Sequence, residues 1–269
     1  MYFVRVVPTG QAAPAFLSLA AHPLRWRLLT ALAAGDYRVR ELVDLLGHPQ
    51  NLVSYHLRLL RRSGLVTAHR SSFDARDSYY HLDLERCAHA LTATGLALHP
   101  ALRLEPTPAT PAPPTTAEPP ARPRVLFACT GNSARSPIAE ALLRHRTADH
   151  VEVTSAGSHP KPRIHPHAVR VLREHYGIDI ADQRPRHLDT VAGHRFDHLI
   201  SLCDKVREAY PEFGHQPRRT HWSIPDPAVG SDNDQASYPA FRHMAAEIDT
   251  RIRYLLPVLT RATNPEIQP

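Results

Sequence analysis

Residues 124–145 read RVLFACTGNSARSPIAEALLRH, and this stretch decides the fold of the second half of the chain. Arg124–Ala128 is a short apolar run of strand character. Pro137–His145 has helical composition, with proline where a first turn tolerates it. Between them lie Cys129, Thr130, Gly131, Asn132, Ser133, Ala134, Arg135 and Ser136. A loop that runs from a strand into a helix N-terminus turns its N–H groups inward and makes an anion site. A cysteine in such a loop is favoured as the thiolate, which is a nucleophile at neutral pH. The planar fork of Arg135 suits an oxyanion. Gly131 permits close backbone approach, and the Ser136 hydroxyl can donate to the sulfur. The spacing predicts a Cys-x5-Arg anion-binding loop with Thr130, Gly131, Asn132, Ser133, Ala134 and Ser136 as its lining.

Downstream, strand-like and helix-like segments alternate. Val151–Ala156 is β-like and ends at Gly157; Pro166–Tyr176 is a helix closed by Gly177. His198–Cys203 and Thr220–Ile224 are strand-like, and Tyr238–Thr260 is a long terminal helix. Alternation of this kind predicts an α/β domain with a parallel sheet covered on both faces. Upstream, residues 100–123 read PALRLEPTPATPAPPTTAEPPARP. Proline at this density excludes regular helix and central strand, so the segment is a semi-rigid linker. The predicted division is residues 1–99, a linker at 100–123, and 124–269.

The first segment is mainly helical. Leu24, Leu28, Leu29 and Leu32 recur at helical spacing before Gly35, and Val39–Leu46 gives a short second helix with Leu42, Leu45 and Leu46 apolar. Gly47-His48-Pro49-Gln50 forms a turn, and Asn51 is the expected N-cap of a helix over Leu52–Ser63. Two helices joined by a short Gly-containing turn make a helix-turn-helix. Val53, Leu57 and Leu60 form the apolar stripe of the second helix. Gln50, Asn51, Ser54, Tyr55 and Arg58 are its candidate DNA contacts, since such a helix enters the major groove by its N-terminal part. Leu65–Arg70 and Ser78–Leu84, around the polar turn 73–77, read as the hairpin of a winged helix. Leu84–Leu98 is a last helix able to pair with a second subunit.

Hydrophobic residues at 42% and charged residues at 22% are those of a globular protein, not a disordered one. The net charge of +6 is compatible with a polyanionic partner. No apolar run is long enough to cross a bilayer, and the start MYFVRVVPTGQAAPAF lacks the features of a signal peptide, so a cytoplasmic location is expected. Cys87, Cys129 and Cys203 are too few for a disulfide framework. No spacing of the histidines suggests a metal site, and His48, His56 and His69 are expected at the surface or facing DNA.

The string HPLRWRLLTAL…VRELVDLLG…NLVSYHLRLLRRSGLVTAHR…DSYYHLDL resembles the ArsR family of bacterial repressors over about the first hundred residues. That resemblance implies a homodimer that binds a palindromic double-stranded DNA operator and releases it on sensing a metalloid, a metal or another signal. Glu41-Leu42-Val43-Asp44-Leu45 stands where arsenic-sensing members often carry a Cys-x-Cys pair, so that thiol site is absent. Cys87 is a single thiol and reads as a small buried hydrophobe.

CTGNSARSPIAEALL…VTSAG…HPHAVRVLREHYGIDI…HLISLC…HWSIPDPA resembles the thioredoxin-linked arsenate reductases and the low-molecular-weight tyrosine phosphatases. The resemblance implies Cys129 as nucleophile, Arg135 as oxyanion binder and Asp226 as general acid. Thr130 and Ala228 follow the reductase pattern; the phosphatases usually place an aromatic residue after that Asp-Pro. Cys203 falls where reductases keep a second redox cysteine, and reads equally as a buried strand residue. Tyr210 replaces a third redox cysteine, and Ala134 stands where many relatives have Cys. The resemblance therefore implies a reductase with no bound cofactor, using mycothiol or glutathione as co-substrate with a redoxin. Two other readings stay open: a phosphatase fused to a repressor, and a non-catalytic regulator that senses oxyanion or oxidant.

Overall fold

A computed structural model describes residues 13–102, 122–208, 216–228 and 234–262. Most of the expected linker, and Tyr210, lie outside the described residues. By residue contacts the chain divides into two compact units. The first holds the described parts of Met1–Ala33, Val39–Ala68 and Tyr80–Thr107; the second holds those of Ala34–Arg38, His69–Tyr79 and Pro108–Pro269.

In chain order, the N-terminal elements are α1 (Ala15–Ala20), α2 (Pro23–Ala34), β1 (Tyr37–Arg38), α3 (Val39–Leu46), α4 (Gln50–Arg62), β2 (Val66–Arg70), β3 (Ser78–Leu82) and α5 (Leu84–Leu98). The first unit's core comes from the predicted stripes: Leu24, Leu28, Leu29 and Leu32 of α2, Leu42 and Leu46 of α3, and Val53, Leu57 and Leu60 of α4. Helices α3 and α4 pack together across the turn at Gly47, whose φ of +67° is the left-handed conformation that glycine adopts without strain.

Four expectations need correction here. Helix α4 starts at Gln50, so Asn51 lies inside it; Pro49 occupies the N-cap position, and no side chain caps the first turn. The Asn51 side chain instead accepts from the Leu52 amide at 2.9 Å. His56 is buried rather than at the surface, its ring 4.3 Å from that of His22. Burial and then the neighbouring His22 hold its pKa below the ordinary value. His69, expected at the surface or facing DNA, is half-buried, its Nε2 2.6 Å from Ser223 Oγ. On α3 only Leu42 and Leu46 turn inward, and Leu45 is exposed.

Strands β1, β3 and β2 form a three-stranded sheet in that order. Asp83 caps α5 by accepting from the Arg86 amide, yet no side chain of α5 is buried. Leu91, Leu96 and Leu98 remain exposed along it.

The second unit carries β4 (Arg124–Cys129), α6 (Arg135–Thr147), β5 (Glu152–Gly157), α7 (Pro166–Tyr176), β6 (His198–Ser201), α8 (Asp204–Arg207), β7 (Arg218–His221) and α9 (Asp234–Ala262). Its sheet is parallel throughout, in the order β5-β4-β6-β7. β4 is buried after its first residue, as a central parallel strand must be. The chain leaves β4 to one side for β5 and returns on the other for β6, so the C-terminal end of β4 is a switch point. Ligands of open α/β sheets bind at such points. Helix α6 is buried on nearly every face because it lies against β4, β5 and α9. Strand β7 begins at Arg218 and stops at His221, earlier than the composition suggested. Residues 222–226 are extended coil that leads to the Asp226 turn.

Candidate active site

Cys129 is the last residue of β4, in register with Gly157 of β5, and is nearly fully buried. Four carbonyls around it are taken from outside. Cys129 O accepts from Ser158 N at 3.2 Å. Thr130 O, Gly131 O and Ser133 O accept from His159 N, Lys161 N and His165 N, each at 2.8 Å. In a trans peptide the N–H points opposite the C=O. Segment 158–165 therefore fixes the loop with the amides of 130, 131, 132 and 134 directed away from it. One of them, Asn132 N, donates to Cys129 Sγ at 3.2 Å. Ser136 Oγ lies 2.9 Å from the same sulfur. The loop thus presents backbone and hydroxyl donors of the kind that stabilise anions.

Asn132 holds the turn. Its φ is +43°, a left-handed conformation that asparagine tolerates better than most residues. Its Nδ2 donates to Ser136 Oγ and to Ser155 Oγ, both at 2.9 Å, and its Oδ1 accepts from Arg186 N at 2.7 Å. Ser155 Oγ in turn donates to Glu140 Oε2 at 2.5 Å. Glu140 is a buried carboxylate on α6, answered by Arg144 at 2.7 Å and Arg186 at 3.4 Å. Gly157 leaves no room for a side chain: a Cβ there would lie 2.5 Å from Thr130 O and 2.9 Å from Asn132 N. Sequence reasoning assigned no role to Ser155, Arg186 or Glu140. The available signal was an acid inside the apolar run Ile138–Leu143.

Arg135 opens α6 and is buried. It donates to Ile224 O at 3.1 Å and to Asp226 Oδ2 at 2.7 Å. Burial alone would lower its pKa, but Cys129, Cys203 and Asp226 outweigh that and raise it. The second oxygen of Asp226 accepts from Ala228 N at 3.1 Å, so the Asp-Pro-Ala turn orients the carboxylate it carries. The structure thus places Cys129, Arg135, Asp226 and the loop residues 130–136 together. Cys203 joins them: its Sγ is 3.3 Å from Thr130 Oγ1. Burial pushes its thiol up, while Arg135 opposes the shift.

Next to it, Asp204 is buried. Burial alone would raise its pKa, but hydrogen bonds from His221, Ser223 and the Ser72 amide hold its carboxyl well below the usual range. Cys87 lies elsewhere, on α5. It is half-buried rather than buried as expected, and that partial desolvation and then Asp83 push its thiol to about 11, which leaves it little thiolate at neutral pH. Gln50, Asn51 and Tyr55 lie exposed on the first two turns of α4, with Ser54 partly so, and Arg58 lies exposed on the third.

Fold and loop together define a parallel α/β domain that carries a Cys-x5-Arg loop between its central strand β4 and helix α6. The family description "Low molecular weight phosphotyrosine protein phosphatase" matches residues 124–264, and "Bacterial regulatory protein, arsR family" matches residues 22–68. The chain belongs to the low molecular weight phosphotyrosine protein phosphatase family, with an ArsR-type helix-turn-helix fused ahead of that domain. The arsenate reductase of Halalkalibacterium halodurans is 33% identical over 129 residues, spanning 48% of this chain and 91% of that protein. That of Bacillus subtilis is 30% identical over 129 residues, with the same shares. A crystal structure of arsenate reductase from Archaeoglobus fulgidus is 32% identical, covers 49% of this chain and 98% of its own, and has a TM-score of 0.41. Among the described residues, no helix is long and apolar enough to cross a membrane.

Proposed function

We propose that this protein is an arsenic-responsive DNA-binding regulator whose C-terminal domain reduces arsenate with Cys129 as nucleophile and an external thiol as reductant. The observation that carries the chemistry is the Cys129 sulfur held by Asn132 N and Ser136 Oγ inside the loop, with Arg135 and Asp226 paired beside it. Arsenate sits on the loop amides and Arg135. The Cys129 thiolate attacks arsenic, an As–O bond breaks, and Asp226 supplies the proton that lets the oxygen leave as water. A second thiolate, mycothiol or glutathione, then attacks Cys129 Sγ. The S–As electron pair stays with arsenic, which leaves as arsenite, and the two sulfurs are left as a mixed disulfide that a redoxin reduces. Ala228 after Asp226-Pro227 offers no ring to hold an aryl ester, which favours arsenate over phosphotyrosine. Purified protein assayed side by side for arsenate reduction with several thiols and for aryl phosphate hydrolysis tests the reading. Hydrolysis without reduction would overturn it in favour of the phosphatase.

Cys203 separates two routes. If an external thiol resolves the arsenic adduct, Cys203→Ser keeps most of the turnover with mycothiol or glutathione. Tyr210 supports this outcome, because it removes the cysteine to which an internal relay would pass its disulfide. Mass spectrometry of arsenate-treated protein is expected to find Cys129 joined to the small thiol. An obligatory Cys129–Cys203 disulfide would refute the external route.

For the DNA-binding half we propose a cytoplasmic homodimer that binds a palindromic operator through α4. Arg58 is exposed on that helix, and a guanidinium suits contact with phosphate. Arg58→Ala in the full chain is expected to weaken operator binding and to reduce the slope of log K against log salt by about one, the loss of one phosphate contact. An unchanged slope in a gel-shift titration would take Arg58 out of the interface.

A further inference from the structure

Within the second unit, two segments that lie far upstream of β4 in sequence, Ala34–Arg38 and His69–Tyr79, meet the chain that leads to Asp226. Asp36 is the centre of this arrangement. Its carboxylate is buried and accepts from Arg251 Nη1 at 3.1 and 3.0 Å and from Ser223 N at 2.7 Å. Its amide donates to His221 O at 2.8 Å. Arg251, also buried, is shared with Glu247 at 2.8 Å. The Ser223 hydroxyl lies 2.6 Å from His69 Nε2 and donates to Asp204 Oδ1 at 2.5 Å. Asp204 accepts as well from Ser72 N at 2.6 Å and Ser72 Oγ at 3.0 Å.

Ser223 stands one residue before Ile224, whose carbonyl binds Arg135, and three before Asp226. Residues 222–226 are coil after His221; Trp222 N still donates to Ser201 O of β6 at 2.8 Å, and beyond it the segment runs outside the sheet. Both backbone groups that Asp36 holds, His221 O and Ser223 N, lie at the root of this coil. We propose that Asp36 is a positioning residue: it fixes the root of the 221–228 segment so that Asp226 reaches the leaving oxygen over Cys129. It touches no reacting atom and acts only through Ser223 and His221. The proposal rests on the assignment of Asp226 as general acid.

Asp36→Asn keeps the shape but weakens the hold on Ser223 N and Arg251. In the full chain, kcat is expected to fall about 10- to 100-fold, part of the roughly 10²–10⁴ that a positioned acid supplies. The loss should grow as the aryl phosphate leaving group worsens, because a good leaving group needs no proton. Alkylation of Cys129 by iodoacetamide should keep its wild-type rate. Amide exchange across 221–228 should accelerate, and Trp222 fluorescence should shift in a Trp26→Phe background, which leaves Trp222 as the only tryptophan.

Should Asp36→Asn fail to fold, adding Arg251→Met removes the stranded charge and carries the same expectations. A variant whose kcat falls equally for every leaving group, together with its alkylation rate, would show a merely structural role and overturn the proposal. So would wild-type exchange across 221–228. If the unaltered protein turns over neither arsenate nor aryl phosphate, the proposed activity fails, and exchange and Trp222 fluorescence still decide whether Asp36 holds the segment.

Discussion

Cys129→Ser is expected to remove turnover of arsenate and of aryl phosphates alike, by on the order of 10⁴-fold or more, the scale seen when a nucleophile is lost. The reason is chemical. A serine hydroxyl is almost wholly protonated at neutral pH and is a far weaker nucleophile than a thiol. The surroundings survive the change. Asn132 N and Ser136 Oγ can hydrogen-bond an oxygen as they do the sulfur, and the carbonyls of 129, 130, 131 and 133 keep their outside partners. The variant should therefore still bind arsenate or phosphate in a calorimeter. Retained turnover would sink the assignment of Cys129; lost anion binding would show that the sulfur itself builds the site.

Arg135→Lys comes next in size. The guanidinium reaches Ile224 O with one nitrogen and Asp226 Oδ2 with another, so in the proposed mechanism it would both bind the oxyanion and hold the general acid. An ammonium has no planar fork and satisfies the two directions poorly. Loss of a preorganised donor of this kind costs about 10²–10³ in kcat. The expected result is a fall of that order in kcat/KM together with weaker anion binding, which separates it from Cys129→Ser. Wild-type affinity for arsenate in Arg135→Lys would count against the oxyanion role.

The loop was legible because its chemistry is contiguous. Cys129, Arg135 and Ser136 lie within one strand-turn-helix, where local sequence dictates geometry. Asp226 came only through the family resemblance, since nothing near Pro225 or Pro227 reveals that its partner is Arg135. The predicted core stripes of α2 and α4 were recovered because helical periodicity reports burial directly. His56 was misjudged because a histidine on the edge of an apolar stripe carries no local mark of which way it packs. Asn51 was misjudged because Pro49, with its fixed φ, suits the entry to α4 one residue earlier. The close approach at Gly157 and the role of Glu140 were not legible for a further reason. What each requires is set by a segment on another strand or loop, and residue type alone does not name it. Asp36 is the extreme case: its partner Arg251 lies 215 residues away.

That distance has a consequence for the order in which the protein is made. At about 5–20 residues per second, Arg251 is synthesised roughly 10–40 s after Asp36. Helices α2, α3 and α4 have their own core and can form in that interval, while the carboxylate of Asp36 remains hydrated on the nascent chain. Ser223 and Arg251 claim it only after β7 and α9 have been synthesised, so the second unit is completed long after the helices of the first could have formed.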